Sequence, residues 1–356
     1  MESKWYSVIN CKTKILIKSF GLSNIIKEDT ATDLQLSLTG TDRPLISVII
    51  PTYNRLPLLK EAIASVIEQT YIKWELIIVD DGSTDGTADA IQKMSDSRIR
   101  LIPLSHSGHI GQVMNEGVKH CSGEWLAFLD SDDIWLPQKL ELQIHSLKKE
   151  KKKWCYGSFE YIDENKKLIY KSPEKFPPLS GRILEEIIKG QAGIAICSLM
   201  VEKKFFEMVG GFSSDPGVRN DYELALRIAL KEEIAFVPDI ILKVRDHVNR
   251  IYKSRRYPYE RSALTYQAFL NLKPEKRFEK LAKRKIAFLL SEAAVHRFAN
   301  KDYRKAIQQL SQSLWLRDKP GHWLSALKRG IYAIFQKNIQ HPAKRRKEKD
   351  LAAYSS

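Results

Sequence analysis

Three aspartates within four residues form the most distinctive feature of the sequence: Asp130, Asp132 and Asp133, interrupted only by Ser131. They directly follow the apolar run Trp125 to Leu129, which is typical of a buried strand. Carboxylates this close repel one another, and burial raises their pKa values further. A divalent cation removes that repulsion, and Mg²⁺ and Mn²⁺ prefer oxygen ligands. A simpler interpretation is a solvated acidic turn in which Asp132 or Asp133 caps a helix starting near Pro137.

The segments around this cluster alternate between strand and helix patterns. Apolar, β-branched runs predict strands, and apolar residues at helical spacing predict helices. The predicted strands are 45–50, 74–79, 99–104, 125–129, 235–237 and 240–244, and the predicted helices are 56–70, 88–95, about 110–120 and 222–230. This alternation predicts an α/β protein with an open, mostly parallel sheet flanked by helices.

Polar clusters follow three of the predicted strands. They are Pro51-Thr52-Tyr53-Asn54, the stretch from Asp80 to Asp85, and the stretch from Asp130 to Asp133. In open α/β sheets, ligands bind at the carboxyl ends of strands. We therefore expect one crevice to be lined by all three clusters.

Composition and charge bound the class of protein. The chain has 356 residues and a net charge of +15, but residues 1–252 carry −2 and residues 253–356 carry +17. No segment is long enough to span a bilayer, and the lysines among the first 20 residues argue against a signal peptide. Four scattered cysteines (Cys11, Cys121, Cys155 and Cys197) suit a reducing compartment and argue against a zinc site. These features predict a cytoplasmic protein.

Four regions are predicted along the chain. Residues 1–43 are an extension and linker, and 44–252 form the α/β domain. Residues 253–340 form a basic helical region, and 341–356 form a basic, disordered tail. Within the helical region, the spacing of apolar residues predicts an antiparallel hairpin of helices 281–298 and 303–316.

Five motifs occur in a defined order. They are Ser47-Val48-Ile49-Ile50-Pro51-Thr52-Tyr53-Asn54, Ile78-Val79-Asp80-Asp81-Gly82-Ser83-Thr84-Asp85, Phe128-Leu129-Asp130-Ser131-Asp132-Asp133, Gly210-Gly211-Phe212, and Asn220-Asp221-Tyr222-Glu223-Leu224-Ala225-Leu226-Arg227. Over residues 44–250 this pattern resembles the inverting family 2 glycosyltransferases. The resemblance implies a GT-A fold with a C-terminal helical appendage. It also implies a hexosyl- or N-acetylhexosaminyl-transferase, in which an acceptor hydroxyl displaces a nucleoside diphosphate from the sugar. The expected donor is a UDP-sugar.

The same resemblance assigns residues to the donor. Asp132 would bind Mn²⁺ or Mg²⁺, with Asp130 on the ribose or in the metal shell. The loop Pro51, Thr52 and Tyr53 and the carboxylate of Asp81 would bind the nucleotide, Asp81 by accepting from the uracil N–H. Turn formation and capping are the simpler roles for Asp80 and Asp85. Tyr53 could stack on the base, or it could be a half-buried aromatic residue at the end of a strand.

Further residues are assigned less directly. Asn115 matches a nucleotide-site position of the family, whereas Met114 stands where many relatives have arginine, and His109 is a candidate to compensate. Asp221 matches the family's catalytic base. Helix N-capping is the alternative role, and the two roles are compatible because they use the same geometry. Arg245-Asp246-His247 resembles an Arg-x-His motif, which makes His247 a candidate to complete the metal shell or to contact the diphosphate.

Alternative functions are weighed on the same residues. The basic region, with Arg255, Arg256 and Tyr257, is compatible with nucleic-acid binding, but no known nucleic-acid module is present. An inactive scaffold that only binds is disfavoured, because an inactive copy has no reason to keep all four candidate acids. These are Asp81, Asp130, Asp132 and Asp221. An NAD-linked oxidoreductase is excluded because no Gly-x-Gly-x-x-Gly turn follows the first strand. We expect a glycan or lipid-linked acceptor, and a peripheral position at the inner face of an anionic membrane.

Overall fold

The fold is described from a computed structural model. It covers residues 43–246 and 258–316, together with Leu324 and Lys328. All described secondary structure belongs to the compact unit that begins at Pro44. Among these residues, no helix combines the length and the apolar character needed to cross a bilayer.

Within the described ranges, nine strands form one sheet. They are β1 (Ile46–Thr52), β2 (Trp74–Asp80), β3 (Ile99–Pro103), β4 (Trp125–Phe128), β5 (Ile134–Trp135), β6 (Trp154–Ile162), β7 (Leu168–Lys171), β8 (Met200–Glu202) and β9 (Ala235–Arg245). Their order is β3-β2-β1-β4-β8-β6-β9-β5, with β7 paired to β6. The pairs β1–β2, β2–β3, β1–β4 and β6–β9 are parallel, whereas β8 runs antiparallel to both of its neighbours.

Ten helices accompany the sheet in the described ranges. They are α1 (Leu56–Ile67), α2 (Thr87–Gln92), α3 (Ile110–Lys119), α4 (Lys139–Glu150), α5 (Leu184–Lys189), α6 (Lys203–Met208), α7 (Asn220–Lys231), α8 (Pro258–Leu270), α9 (Lys276–Ala299) and α10 (Tyr303–Trp315). Two short 3-10 turns lie at 172–174 and 196–198.

The predicted open, mostly parallel sheet flanked by helices is confirmed. The last predicted strand, given in the two parts 235–237 and 240–244, is the continuous strand β9, and its pairing with β6 is irregular near Gly157 and Ser158. The helix predicted to start at Tyr222 starts two residues earlier, at Asn220. Pattern analysis places an element more reliably than its ends.

The buried centre of the sheet explains why the first strand has no polar alternation. All seven residues of β1 are buried, because helices cover both faces of a parallel sheet. Gly117 of α3 lies directly over this centre. A Cβ there would meet the side chains of Val79 at 2.7 Å and Ile49 at 2.8 Å, so glycine permits α3 to pack closely. This packing holds the start of α3 near the carboxyl ends of β1 and β2.

The C-terminal helices form a second group of elements. Helices α9 and α10 form the predicted antiparallel hairpin, with its turn at 300–302. Buried Arg297 of α9 pairs with Glu260 of α8 at 2.8 Å and with Asp302 at 2.7 Å, which ties the three helices together. Helices α8 and α9 also pack against α7 and α5 respectively. The four-region division remains a prediction, and 1–42 and 341–356 lie outside the described residues.

Candidate active site

A cavity of about 760 Å³ opens at the carboxyl ends of the central strands. Most of its wall comes from the ends of β1 and β4, the first turns of α3 and α7, the segment 190–197, and helices α8 and α9. Predicted site residues that line it are Pro51, Asp130, Asp132 and Asp221. The expected convergence of strand-end clusters is therefore seen for the first and third clusters, joined by the start of α7.

Asp132 is buried and forms an ion pair with an arginine that the sequence reasoning did not consider. The Nη1 atom of Arg55, in the loop between β1 and α1, lies 2.7 Å from Asp132 Oδ2. A cation therefore already stands beside the carboxylate that the resemblance assigns to the metal. Arg55 also lines the cavity, so a guanidinium faces the space where a diphosphate is expected.

Asp133 does not cap a helix. Helix α4 begins at Lys139 with Gln138 as its N-cap, whereas Asp133 Oδ1 accepts from the backbone N–H of Arg245 at 2.8 Å. Arg245, the last residue of β9, also donates through Nε to the carbonyl of Asp132 at 3.0 Å. The acidic loop is thus held by a neighbouring strand, and the capping interpretation is wrong for Asp133.

Three potential ligand side chains converge beside this loop. Oxygen atoms of Asp130 and Asp133 and the Sγ atom of Cys197 lie within 4.8 Å of one another. The carboxylates of Asp130 and Asp133 suit a hard divalent cation. The residues present therefore fit the Mn²⁺ or Mg²⁺ that the resemblance implies. The structure groups Asp130 with Asp133 in this way, while Asp132 faces Arg55. His247, the third predicted ligand, lies outside the described residues.

Asp81 lies at the end of β2 and binds the loop between β3 and α3. Its carboxylate accepts from the amide N–H groups of Ser107 at 2.8 Å and Gly108 at 2.9 Å, and from the Ser107 hydroxyl at 3.0 Å. Burial alone would raise the pKa of Asp81, but these hydrogen bonds outweigh it and the pKa is lowered. To accept from a uracil N–H, Asp81 must exchange these partners.

Tyr53 stacks on a histidine side chain in this structure. Its ring lies 3.9 Å from that of His106, with 16° between the planes, and His106 Nδ1 lies 3.0 Å from Asp81 Oδ2. The imidazole therefore contacts the two groups, one aromatic face and one carboxylate, that the resemblance assigns to the nucleobase. Tyr53 is 42% exposed, so the part of its ring that His106 does not cover is open to a ligand ring.

The other residues assigned to the nucleotide have different surroundings. Thr52 is buried, and its hydroxyl has no hydrogen-bond partner among the described residues. His109 is the N-cap residue of α3, and its buried Nδ1 atom likewise has no partner there. Asn115 lies behind the cavity. Its amide donates to the carbonyl of Phe212 at 2.8 Å and accepts from the Phe212 N–H at 2.9 Å. Because both ends of the amide are used, Asn115 holds the Gly210-Gly211-Phe212 loop and does not face the ligand space.

Asp80 and Asp85 support turns, as the simpler interpretation predicted. Asp80 accepts from the N–H of Ser83 at 3.0 Å. Asp85 accepts from the N–H of Leu56 at 2.9 Å and from the hydroxyl of Thr87 at 2.6 Å. Asp85 therefore ties the starts of α1 and α2 together, which positions the loop containing Arg55.

Asp221 lies in the first turn of α7 and faces the cavity. The N-cap residue is Arg219, so Asp221 is not the cap. One of its oxygens accepts from the N–H of Tyr222 at 2.8 Å, and Arg219 Nη2 lies 3.6 Å from the other. Asn220, in the amide orientation that satisfies both neighbours, bonds Ser213 and Gly111. This contact fixes the start of α7 against the start of α3.

The glycine pair before α7 adopts backbone angles that disfavour other residues. The φ angles of Gly210 and Gly211 are +92° and +64°. Arg227 of α7 donates to the carbonyl groups of Val209 and Gly211 and pairs with Glu223 at 2.6 Å. The loop is therefore held from two sides, by Arg227 and by Asn115.

Sequence reasoning missed three contributors to the cavity: Arg55, Cys197 and the wall formed by α8 and α9. Arg55 directly follows the Pro51–Asn54 motif, so its place in the sequence was a usable signal. Cys197 had no signal, because its significance rests on contact with Asp130 and Asp133. The helical wall includes Arg261, which donates to three carbonyl groups of the 216–218 loop.

Known proteins resemble this chain in sequence and in fold. Residues 47–207 match the glycosyl transferase family 2 domain. A glycosyltransferase of Rickettsia felis is 31% identical over 267 residues, covering 74% of this chain and 44% of that protein. The UDP-Glc:alpha-D-GlcNAc-diphosphoundecaprenol beta-1,3-glucosyltransferase WfgD of Escherichia coli is 41% identical over 124 residues, covering 35% of this chain and 49% of WfgD. The chain spans about half the length of these curated relatives.

Solved structures show the same fold. TarS residues 1–349 from S. aureus, crystallised in complex with UDP-GlcNAc, superpose with a TM-score of 0.62 at 17% identity, covering 81% of this chain and 89% of that one. The mannosyltransferase PcManGT of Pyrobaculum calidifontis, in complex with GDP-Man and Mn²⁺, gives a TM-score of 0.53 at 22% identity, covering 86% and 87%. The resemblance in motif order, the domain match and the shared GT-A architecture agree, and the chain belongs to glycosyl transferase family 2.

Proposed function

We propose that this chain transfers a hexose or N-acetylhexosamine from a nucleotide sugar to a hydroxyl group of a lipid-linked or polysaccharide acceptor, with inversion at the sugar carbon. The observation that supports this best is the single cavity lined by Asp130, Asp132 and Asp221. Asp130 and Asp132 lie about ninety positions before Asp221 in the sequence, yet all three line one cavity, as a displacement reaction at one sugar carbon requires. In the proposed reaction, Asp130 and Asp132 would act on the leaving group, and Asp221 would act on the acceptor.

The proposed donor is a UDP-sugar. TarS, which shares the fold, was crystallised with UDP and with UDP-GlcNAc, and WfgD is named for a UDP-glucose donor. In this chain, Tyr53 would stack on the base and Asp81 would accept from it after the loop containing His106 moves. Arg55 is placed to bind the diphosphate, where a fixed positive charge stabilises the departing phosphate oxygens.

A divalent cation, Mn²⁺ or Mg²⁺, would add Lewis-acid stabilisation of the leaving diphosphate. Asp130 and Asp133 are the carboxylates placed to hold it, and Asp132 can join them if Arg55 releases it for the diphosphate. The Mn²⁺ complex of PcManGT, a protein with the same fold, supports this assignment. Arg245 orients the acidic loop through the carbonyl of Asp132 and the carboxylate of Asp133.

Asp221 would take the proton of the acceptor hydroxyl as the new bond forms. A base must lie within hydrogen-bond reach of that proton in the complex. The first turn of α7 is suited to this role, because Asn220 and Arg219 fix its position and the side chain of Asp221 remains partly exposed to the cavity. The lipid-linked acceptor is inferred from WfgD, whose name specifies a diphosphoundecaprenol-linked sugar.

Two substitutions test the proposal. Asp132→Ala and Asp221→Asn should each abolish sugar transfer, while Asp221→Asn should leave UDP binding unchanged because it alters only the acceptor side. A thermal-shift series with UDP-sugars, with and without Mn²⁺, measures donor binding independently of transfer. Asp239→Asn, an exposed position in β9, is the matched control. Full transfer activity in either active-site variant would remove that residue from the mechanism.

We also propose that the basic C-terminal region attaches the protein to an anionic membrane surface, where lipid-linked acceptors are found. The support is the charge of +17 on residues 253–356, since each lysine or arginine near such a surface contributes about 1 kcal/mol. Sedimentation with anionic and neutral vesicles at low salt tests this. Equal recovery with both kinds of vesicle contradicts it.

A further inference from the structure

A second depression lies beside the catalytic cavity, between the end of α5 and one face of α9. Its volume is about 350 Å³. We refer to it as the α5–α9 groove, and its lining residues are Ile188, Lys189, Leu281, Arg284, Lys285 and Phe288. Three of these side chains are apolar, three are cationic, and none is acidic. The α9 members recur at helical spacing, so they present one continuous face.

The groove is continuous with the catalytic cavity. Lys285 and Phe288 line both spaces. At Gly190, between the two, a Cβ atom would lie 3.1 Å from the Lys285 ammonium and 3.9 Å from the hydroxyl of Tyr222. Tyr222 directly follows the candidate base Asp221, so the groove begins on the acceptor side of the proposed reaction.

The composition of the groove indicates the chemistry of its occupant. Phe288 is 41% exposed, whereas the other two phenylalanines of α9, Phe278 and Phe298, are buried. Lys285 donates to the carbonyl of Lys189 at 2.9 Å, a neutral acceptor that fixes the position of the ammonium at the groove entrance. Lys189 pairs with Glu185 at 2.7 Å, but both side chains are exposed and such surface pairs contribute little. An anionic ligand can therefore compete for Lys189.

We propose that the α5–α9 groove binds the diphosphate and the first isoprenoid units of a prenyl-diphosphate-linked acceptor. The cations at the entrance match the charge of the diphosphate, and Ile188, Leu281 and Phe288 match the alkyl chain. The acceptor sugar would then project into the cavity toward Asp221. This inference rests on the proposed function, because it identifies the acceptor class of the same site.

Direct binding of small probes to the full chain tests the groove without requiring transfer. The probes are farnesyl diphosphate, inorganic diphosphate and farnesol, measured by calorimetry in the absence of donor. Farnesyl diphosphate should bind at least tenfold more tightly than either fragment, because only it contacts both parts of the groove. The double variant Arg284→Glu with Phe288→Asp should lose at least tenfold in affinity for it.

A matched control makes the same two kinds of substitution, arginine to glutamate and apolar residue to aspartate, on α10 outside the groove. Arg304→Glu with Ile307→Asp changes two exposed positions of α10, of which Ile307 is 61% exposed, and should bind farnesyl diphosphate within twofold of the parent. UDP affinity, measured in parallel, reports whether the groove variant keeps its fold and donor site. If the parent does not bind UDP, the proposed function is contradicted. The farnesyl diphosphate series tests the groove alone.

Three outcomes would overturn the inference. The first is an unchanged affinity of the groove variant for farnesyl diphosphate. The second is inorganic diphosphate binding as tightly as farnesyl diphosphate, which would show a phosphate site without a lipid contact. The third is farnesol binding as tightly as farnesyl diphosphate, which would show an apolar groove without a diphosphate contact.

Discussion

Lys139 is fully buried beneath the acidic loop, and its replacement gives a quantitative test of the structure. Its ammonium donates to the side chain of Gln143 and lies 4.0 Å above the ring of Trp135. Cys155 and Cys197 act on it electrostatically, and burial raises the pKa of Cys155 to about 12. At neutral pH the Cys155 side chain is therefore a thiol and carries no negative charge to balance the ammonium.

Burial lowers the pKa of Lys139 from 10.5 to about 7. Below pH 7 both the folded and the unfolded chain hold this proton, and the folded state bears the full desolvation cost. Between pH 7 and 10.5 the folded chain has lost the proton while the unfolded chain still binds it, so the free energy of unfolding rises with pH. The rise is about 1.4 kcal/mol for each pH unit, or about 5 kcal/mol over the whole interval.

Lys139→Met should remove this pH dependence, because methionine fills a similar volume without an ionisable group. Urea unfolding of the parent and the variant at pH 7.5 and 9.5 measures it. The parent should gain about 2.5 kcal/mol relative to Lys139→Met between these pH values. Loss of the hydrogen bond to Gln143 changes the offset by about 1 kcal/mol, but not the slope. Lys60→Met, at an exposed position of α1, is the control. Parallel pH profiles for the parent and Lys139→Met would refute the reasoning.

Three further substitutions test contacts around the cavity. His106→Ala removes the ring that stacks on Tyr53 and contacts Asp81, so UDP should bind about tenfold more tightly by calorimetry; weaker binding would show that His106 helps the ligand. Asn115→Ala leaves the backbone groups of Phe212 without their side-chain partners and should lower the free energy of unfolding by about 2 kcal/mol in urea; an unchanged midpoint would contradict that anchoring role. Arg55→Met removes the cation beside Asp132, so Mn²⁺ should raise the melting temperature of this variant more than that of the parent; an equal shift would place the ion away from Asp132.

The parallel part of the fold was predictable because its signals are local. A strand buried on both faces must be a short apolar run, and β1, β2 and β4 are such runs. The antiparallel strand β8 was not predicted, since its three residues at 200–202 are too few to show a pattern. The start of α1 was predicted correctly, but its end at Ile67 and the start of α7 at Asn220 were missed by two or three residues. No side-chain cap bond marks the start of α4 or α7, so the sequence carries no local signal for these ends.

The candidate site was predictable in part. Motif order identified Asp81, Asp130, Asp132 and Asp221 as polar residues at strand ends or helix starts. Their partners were not predictable. Asp81 binds a loop 26 residues away, and Asn115 binds the backbone of a residue 97 positions away. A polar residue near a predicted site has the same appearance in the sequence whether it faces a ligand or anchors a loop.

The sequence by itself determined the fold class and the chemical inventory, because apolar periodicity and the order of acidic and glycine motifs are written in neighbouring residues. Tertiary structure decided which groups meet. It paired Asp132 with Arg55 across 77 positions, placed Cys197 beside Asp130 and Asp133, and made the C-terminal helices a wall of the cavity. Such contacts depend on how strands and helices pack in three dimensions, and residues far apart in sequence leave no local pattern from which their meeting could be inferred.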